Sequence, residues 1–247
     1  QKYMDFLYNR LQRSGYLQRD CQRMVNQDRN VFAACMVATG DADAMVTGLT
    51  RSFGVSLEEI TRVIDAKPNE RIMALTQVIT RGRTLFIADT YVHELPNAEE
   101  LADIAVGAAA AAKSMGHEPR VALLSFSNFG TPMMESSARV RDAVALLDKR
   151  NVSFEYDGDM AVDVALDPEV RKLYPFCKLS GSANVLVMPG LHSANISYKL
   201  LQQFGGGSVI GPMLIGLQKP AQIVRMGATV SDLVNAAAIA AHDAIKA

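Results

Sequence analysis

The chain has 247 residues, enough for one large domain or two lobes with a real core. About half are hydrophobic, and 25 Lys and Arg nearly balance 26 Asp and Glu, so no global field marks the protein for nucleic acid or an anionic membrane, and a soluble globular protein is the starting point. The longest apolar run, LVNAAAIAA, stops at His242 and Asp243, well short of a bilayer span.

Taken in chain order, QKYMDFLYNRLQRSGY sets Tyr3, Leu7 and Leu11 at helical spacing and has neither the apolar centre nor the cleavage site of a signal peptide. VFAACMVAT and RIMALTQVI then read as strands around the loop GDADAMVTGLTRS and the helix SLEEITRVID, for which Ser56 and Glu59 form a capping-box pair. RTLFIADT is a short buried strand. After YVHELP comes a long helix, NAEELADIAVGAAAAAKSMG, with Asn97 as N-cap, Glu100 three positions on, and Gly116 to stop it. RVALLSFSNFG repeats the theme with a loop of Ser125, Ser127, Asn128 and Gly130, followed by the helix ESSARVRDAVALLDKR, where Val140, Val144 and Leu147 share one face. ANVLVMPGLHSANISYKLLQQFGGG is a third such unit. The alternation predicts an α/β fold with parallel strands and helical crossovers, and ligand sites at the carboxyl ends of the strands.

Three cysteines, Cys21, Cys35 and Cys177, form no CxxC pair and are odd in number. That argues against a disulfide framework and for a reducing compartment, the cytoplasm, with all three thiols buried or half-buried. His93, His117, His192 and His242 show no ligand spacing, so no metal site is expected. No GxGxxG follows a strand, which leaves a nicotinamide site in this chain unsupported. No Ser- or Pro-rich linker divides the chain, and no solenoid repeat is visible.

The order and wording of DADAMVTGLTRS, LFIADT…NAEELADIA, VALLSFSNFG, ANVLVMPGLHSANISYKLLQQFGG and VIGPMLIGLQKP resemble the phosphate acetyl- and butyryltransferase family over nearly the whole chain. DFLYNRLQRSGYLQRDCQRMVNQDRNVFAACMVATGDADAMVTG and FEYDGDMAVDVAL are closer still to the C-terminal phosphotransacetylase-like domain of the large bacterial NADP-dependent malic enzymes. The resemblance implies two α/β lobes of the isocitrate and isopropylmalate dehydrogenase kind with a central cleft. Lobe one would be residues 1–84 plus 216–247, without the first βα units that the family's domain normally carries, and lobe two the insertion 85–215. It also implies a two-fold dimer, for which the small residues Gly107, Ala108 and Ala111 offer close approach, although packing of their helix on its own sheet explains them equally well.

In active members of the family the segment matching KPAQIVRMGATVSDLV carries an adjacent Ser and Arg before the Gly, and an Asp at the following helix start. Here those positions are Arg225, Met226 and Asp232. Acyl transfer from acetyl phosphate needs a cation to stabilise charge on the phosphate oxygens, which Met226 cannot supply and Arg225, pointing elsewhere from the next position, need not replace. No catalytic residue is therefore assigned.

Most of the candidate acetyl-CoA contacts have a plainer reading beside the functional one. Thr47, Gly48 and Arg51 form an anion cradle or a surface loop. Ser125, Ser127 and Asn128 contact ligand amides and phosphates or cap the next helix. Asn195 and Lys199 belong to a site or to a solvated helix face. Arg225 makes a phosphate contact or a plain surface ion pair, Met226 lines an apolar slot with Asn235 nearby, and Asp232 is a ligand contact or part of a helix cap with Thr229. The resemblance implies a regulatory module of a malic enzyme that binds acetyl-CoA as an allosteric inhibitor in the cleft and supports oligomerisation, with the malic-enzyme module in cis. That absent N-terminal module would hold the NADP and the divalent metal, and this domain would need no cofactor of its own. The alternatives are an active phosphate acetyltransferase and an oligomerisation scaffold without a ligand.

Overall fold

The structure, a computed structural model, describes residues 1–80 and 82–246. The chain divides into two compact units, residues 1–72 with 216–247 and residues 73–215.

The first unit opens with three helices, α1 (Lys2–Leu11), α2 (Gln18–Gln27) and α3 (Arg29–Ala38). Leu7 and Leu11 are buried and Tyr3 half-buried, as the spacing requires. VFAACMVAT, read as a strand, is helical. Asp28 caps α3 by accepting from the amides of Asn30 and Val31, and Val31, Ala34 and Cys35 bury one face. Cap and helical burial spacing outweigh the β-branched content of a short apolar run that periodicity alone cannot assign.

The segment GDADAMVTGLTRS, read as loop throughout, contains strand β1 (Met45–Gly48), which pairs parallel with the late strand Ala221–Val224. At Gly48 the backbone has φ +127, and a Cβ would fall 2.0 Å from the Val224 carbonyl oxygen, so only glycine allows the two strands this approach. Helix α4 (Phe53–Thr61) begins earlier than read. Ser52 is its N-cap, accepting from the Val55 amide, so Ser56 is not a cap but a fully buried residue of the helix interior, and Glu59 turns inward.

The second unit is a six-stranded sheet built from β2 (Met73–Thr80), β3 (Arg83–Ala88), β4 (Arg120–Leu124), β5 (Glu155–Met160), β6 (Val185–Val187) and β7 (Ser208–Ile215). The order is β5-β4-β6-β3-β2-β7, in which β5, β4, β6 and β3 run parallel and β2 runs antiparallel to both of its neighbours. Because β3 and β7 hydrogen-bond both edges of β2, residues 73–80, grouped with the first lobe on sequence, belong to this unit.

Helices α5 (Ala98–Ser114), α6 (Glu135–Arg150) and, after the short helices α7 (Val162–Leu166) and α8 (Pro168–Arg171), α9 (Leu191–Phe204) make the crossovers. Asn97 and Glu100 form the expected capping box on α5. Its Leu101 and Ile104 are fully buried, each contributing about 1.5–3 kcal/mol of transfer free energy. A Cβ on Gly107 would sit 2.5 Å from the Met73 methyl, and Ala108 is fully buried, so these small residues seat α5 on its own sheet. The chain then returns to the first unit through β8 (Ala221–Val224) and ends in α10 (Val230–Lys246), which packs on β8 and β1. Among the described residues no helix is long and apolar enough to cross a membrane.

Candidate functional site

In the first unit the loops after β1 and β8 leave the carboxyl ends of two paired parallel strands, the usual place for ligand contacts. The loop after β1 spends its polar groups internally. Thr47 donates to the Asn30 side-chain oxygen, and the Asn30 amide in turn donates to Glu59 at 2.6 Å. Arg51 bonds Asp28 at 2.7 Å and also Glu59. Burial works against the charge on Asp28, but Arg51 and the α3 amides outweigh it and hold the carboxyl below its ordinary value. Glu59 goes the other way: burial pushes its carboxyl up, and the Asn30 bond only partly opposes this. The result is a closed cluster joining α3, β1 and α4, with one guanidinium shared between two carboxyl groups. An anion approaching Arg51 would compete with both.

The loop after β8 is built differently. Arg225 is half-buried and Met226 is 62% exposed. Gly227 at φ +81 supplies the left-handed turn, and the Ala228 amide closes onto the Arg225 carbonyl. Thr229 and Asp232 then cap α10 reciprocally: the Thr229 amide and hydroxyl donate to Asp232 at 2.8 and 2.9 Å, and the Asp232 amide donates to the Thr229 oxygen at 3.2 Å. The carboxylate of Asp232 is thus engaged at the helix start, while Asn235 lies half-buried one turn further on.

In the second unit the loop after β4 is tied to the end of β5. Ser127 donates to the fully buried Asp159, which also accepts the Gly130 amide at 3.0 Å and faces Arg141 at 3.5 Å. Ser125 lies 3.2 Å from the Ser127 hydroxyl, and Asn128 accepts the Ala161 amide at 2.7 Å. None of the three caps α6, whose N-cap position is Met134 without a side-chain bond. After β3, Asp89 gathers the amides of Ala74, Tyr91, Val92 and His93 and the His93 ring nitrogen Nδ1, the last at 2.6 Å. Asn195 on α9 donates to the Thr90 carbonyl, and Lys199 one turn on is exposed.

The twelve sequence candidates therefore fall into separate groups. Thr47, Gly48 and Arg51 surround the β1 end, Arg225, Met226, Asp232 and Asn235 follow β8, Ser125, Ser127 and Asn128 close the β4 loop, and Asn195 and Lys199 sit on α9. Sequence reading missed the residues that organise these loops: Asp28, Asn30 and Glu59 in the first unit, Asp89, His93, Asp159 and Arg141 in the second. Asp89 and His93 had a local signal, a carboxylate directly after an apolar strand with an imidazole four positions on. Asp159 had none, because its partners Ser127, Gly130 and Arg141 lie 32, 29 and 18 residues away in the chain.

The chain matches the family model described as "Phosphate acetyl/butaryl transferase" over residues 1–241 and belongs to that family. A phosphotransacetylase structure from Streptococcus pyogenes superposes with a TM-score of 0.92 at 31% identity, covering 100% of this chain and 75% of that one. Within the family the chain is the phosphotransacetylase-like region that hybrid malic enzymes carry. It is 60% identical, over 98% of its length, to the NADP-dependent malic enzyme of Rhizobium meliloti (strain 1021) and 51% identical to the probable NADP-dependent malic enzyme of Rickettsia prowazekii (strain Madrid E). It spans about a third of the length of those relatives, 32% and 33%.

Proposed function

We propose that this chain is a regulatory module that binds acetyl-CoA without transferring its acetyl group, and that the protein it serves is an NADP-dependent malic enzyme inhibited by that ligand. Nicotinamide and divalent metal chemistry would belong to a malic-enzyme module in cis, and this chain would form the homo-oligomeric part, in the cytoplasm.

The observation that carries the reading is the turn after β8, where a half-buried cation and an exposed thioether, Arg225 and Met226, precede Gly227. A thioether cannot stabilise charge on a phosphoryl oxygen, but it suits an apolar slot for pantetheine, and one cation with nearby amides suffices to hold a nucleotide phosphate. The engagement of Arg51 by Asp28 and Glu59 supports the same reading, since it occupies another cation that phosphoryl chemistry would want. Losing one preorganised donor costs roughly a hundredfold or more in rate.

The test pairs two measurements on the 247-residue chain. Calorimetry with acetyl-CoA is expected to show saturable binding, and a coupled assay with acetyl phosphate and CoA no turnover above background. Turnover at ordinary enzymatic rates would replace this reading with that of an active phosphate acetyltransferase. Absence of binding at millimolar acetyl-CoA would leave a scaffold.

A further inference from the structure

In the second unit β4 and β6 lie side by side, and the chain leaves their carboxyl ends into α6 and α9. Helix α6 carries three arginines, of which two are ion-paired, Arg141 with Asp159 and Arg150 with Asp103. Arg139 is different. Among the described residues no carboxylate pairs with it: its Nη2 donates to the Pro189 carbonyl at 2.8 Å, and its Nε is buried without a hydrogen-bond partner. The side chain is half-buried, so the rest of its donor edge stays open. A cation drawn partly out of water calls for a counter-charge.

The Pro189 carbonyl fixes where that charge sits, because the next residue, Gly190, is the N-cap of α9. Gly190 supplies no side-chain cap, and the first turn of α9 holds no acidic residue. The Leu191 amide donates to the Glu94 carbonyl at 3.0 Å and the Ala194 amide to the Gly190 carbonyl at 3.2 Å. The amides of His192 and Ser193 have no acceptor among the described residues. The positive end of a 14-residue helix and an unpaired guanidinium therefore stand side by side. Nearby carboxylates do not balance them. Asp89 accepts four amides and the His93 ring, Asp159 is held by Ser127, the Gly130 amide and Arg141, and Glu94 is exposed.

We infer that Arg139 and the start of α9 form a binding site for a phosphate dianion, either free or as a terminal phosphate monoester. Its tetrahedral oxygens reach a guanidinium edge and helix amides at once, a geometry that a planar carboxylate matches less well. The Ser193 hydroxyl, which donates to the Gly190 carbonyl at 2.7 Å, becomes a further donor by rotating about its own bond. Pro189, Gly190 and Ser193 are half-buried and His192 is exposed, so the ligand enters from the surface without opening the core. The site uses neither Arg225 nor the turn after β8, and it stands whether or not acetyl-CoA binds there.

The test is thermal melting of the 247-residue chain in orthophosphate, in AMP and in chloride at matched ionic strength, with adenosine as the phosphate-free control. Wild type should melt about 2–4 °C higher in about 20 mM orthophosphate or AMP than in chloride, and adenosine should add nothing. Arg139→Gln should lose most of that gain. Ser193→Glu places an internal carboxylate in the first turn of α9, so it should melt higher than wild type in chloride and gain nothing more from phosphate. A gain from AMP alone that both variants lose assigns the site to a phosphate monoester, and a gain from both probes assigns it to the phosphate group itself. No gain from either probe in wild type would overturn the site. So would a gain that either variant keeps in full: Arg139 would then be only a strut between α6 and the end of β6. A gain lost instead in Arg225→Ala would place the phosphate in the first unit.

Discussion

The loops after β1 and after β8 leave neighbouring parallel strands and carry similar chemistry, a hydroxyl and an arginine in one, an arginine and a hydroxyl-capped helix in the other. They use it in opposite ways. After β1, Thr47 and Arg51 are turned onto Asn30, Asp28 and Glu59, so the polar groups hold three elements of the fold together. After β8, Met226 stands in solvent and Arg225 is only half-buried. Position at a strand's carboxyl end therefore does not by itself make a ligand contact; how far the side chains there are exposed also matters. Arg51, held by two carboxyl groups, is chiefly part of the scaffold, whereas the turn after β8 presents the exposed thioether of Met226 beside Arg225.

The sharpest way to break this distinction is to remove an engaged group. Asp159→Ala should destabilise by about 3–5 kcal/mol, because it strips Ser127, the Gly130 amide and Arg141 of a common buried acceptor, and Asp159→Asn should recover part of the loss. Thermal or urea unfolding reads this directly, and an effect under about 1 kcal/mol would remove Asp159 from the engaged class. Gly48→Ala should cost about 2–4 kcal/mol, since its methyl would overlap the Val224 carbonyl at a φ that disfavours any side chain. A folded variant with unchanged melting would mean that β1 and β8 can separate at little cost.

Asp232→Ala probes the exposed loop and should cost only about 0.5–1 kcal/mol, the value of a lost helix cap. The smallest effect is a slope in pH. Glu59 keeps its proton more tightly in the fold than its ordinary value of about 4.3 would allow, so its burial costs stability as pH rises through and above that value. Asp28 has the opposite sign: its contribution is complete above about 3.9 and is lost as pH falls below that. Glu59→Gln should flatten the decline above about pH 4.3 and leave the acid loss below pH 4 in place. Melting temperature followed from pH 3 to 6 separates the two, and an unchanged profile would contradict the assigned direction for Glu59.

Much of the second unit was legible because its information is local. The Asn97–Glu100 pair starts α5, and Val140, Val144 and Leu147 on one face of α6 are all buried. VFAACMVAT was misread because nine mostly apolar residues satisfy a buried strand and a buried helix equally, and the deciding cap, Asp28, lies just outside the run. Ser56 and Glu59 have the spacing of a capping box, yet Ser52 starts the helix one turn earlier and frees Glu59 for Arg51. The engaged clusters were illegible for a further reason. Ser127 with Asp159 and Asn30 with Glu59 are pairs some thirty residues apart, and only the fold brings them together.

The proposal that Arg225 contacts acetyl-CoA and that Arg51 serves chiefly the fold is tested most directly by measuring melting temperature and acetyl-CoA affinity on Arg51→Ala and Arg225→Ala side by side. Arg51→Ala should lower stability by about 1–3 kcal/mol, partly offset by solvent screening of a one-third-exposed side chain, with affinity changed less than about threefold. Arg225→Ala should lose about tenfold or more in affinity, the value of a charge-assisted phosphate contact. Affinity lost in Arg51→Ala and kept in Arg225→Ala would contradict the account.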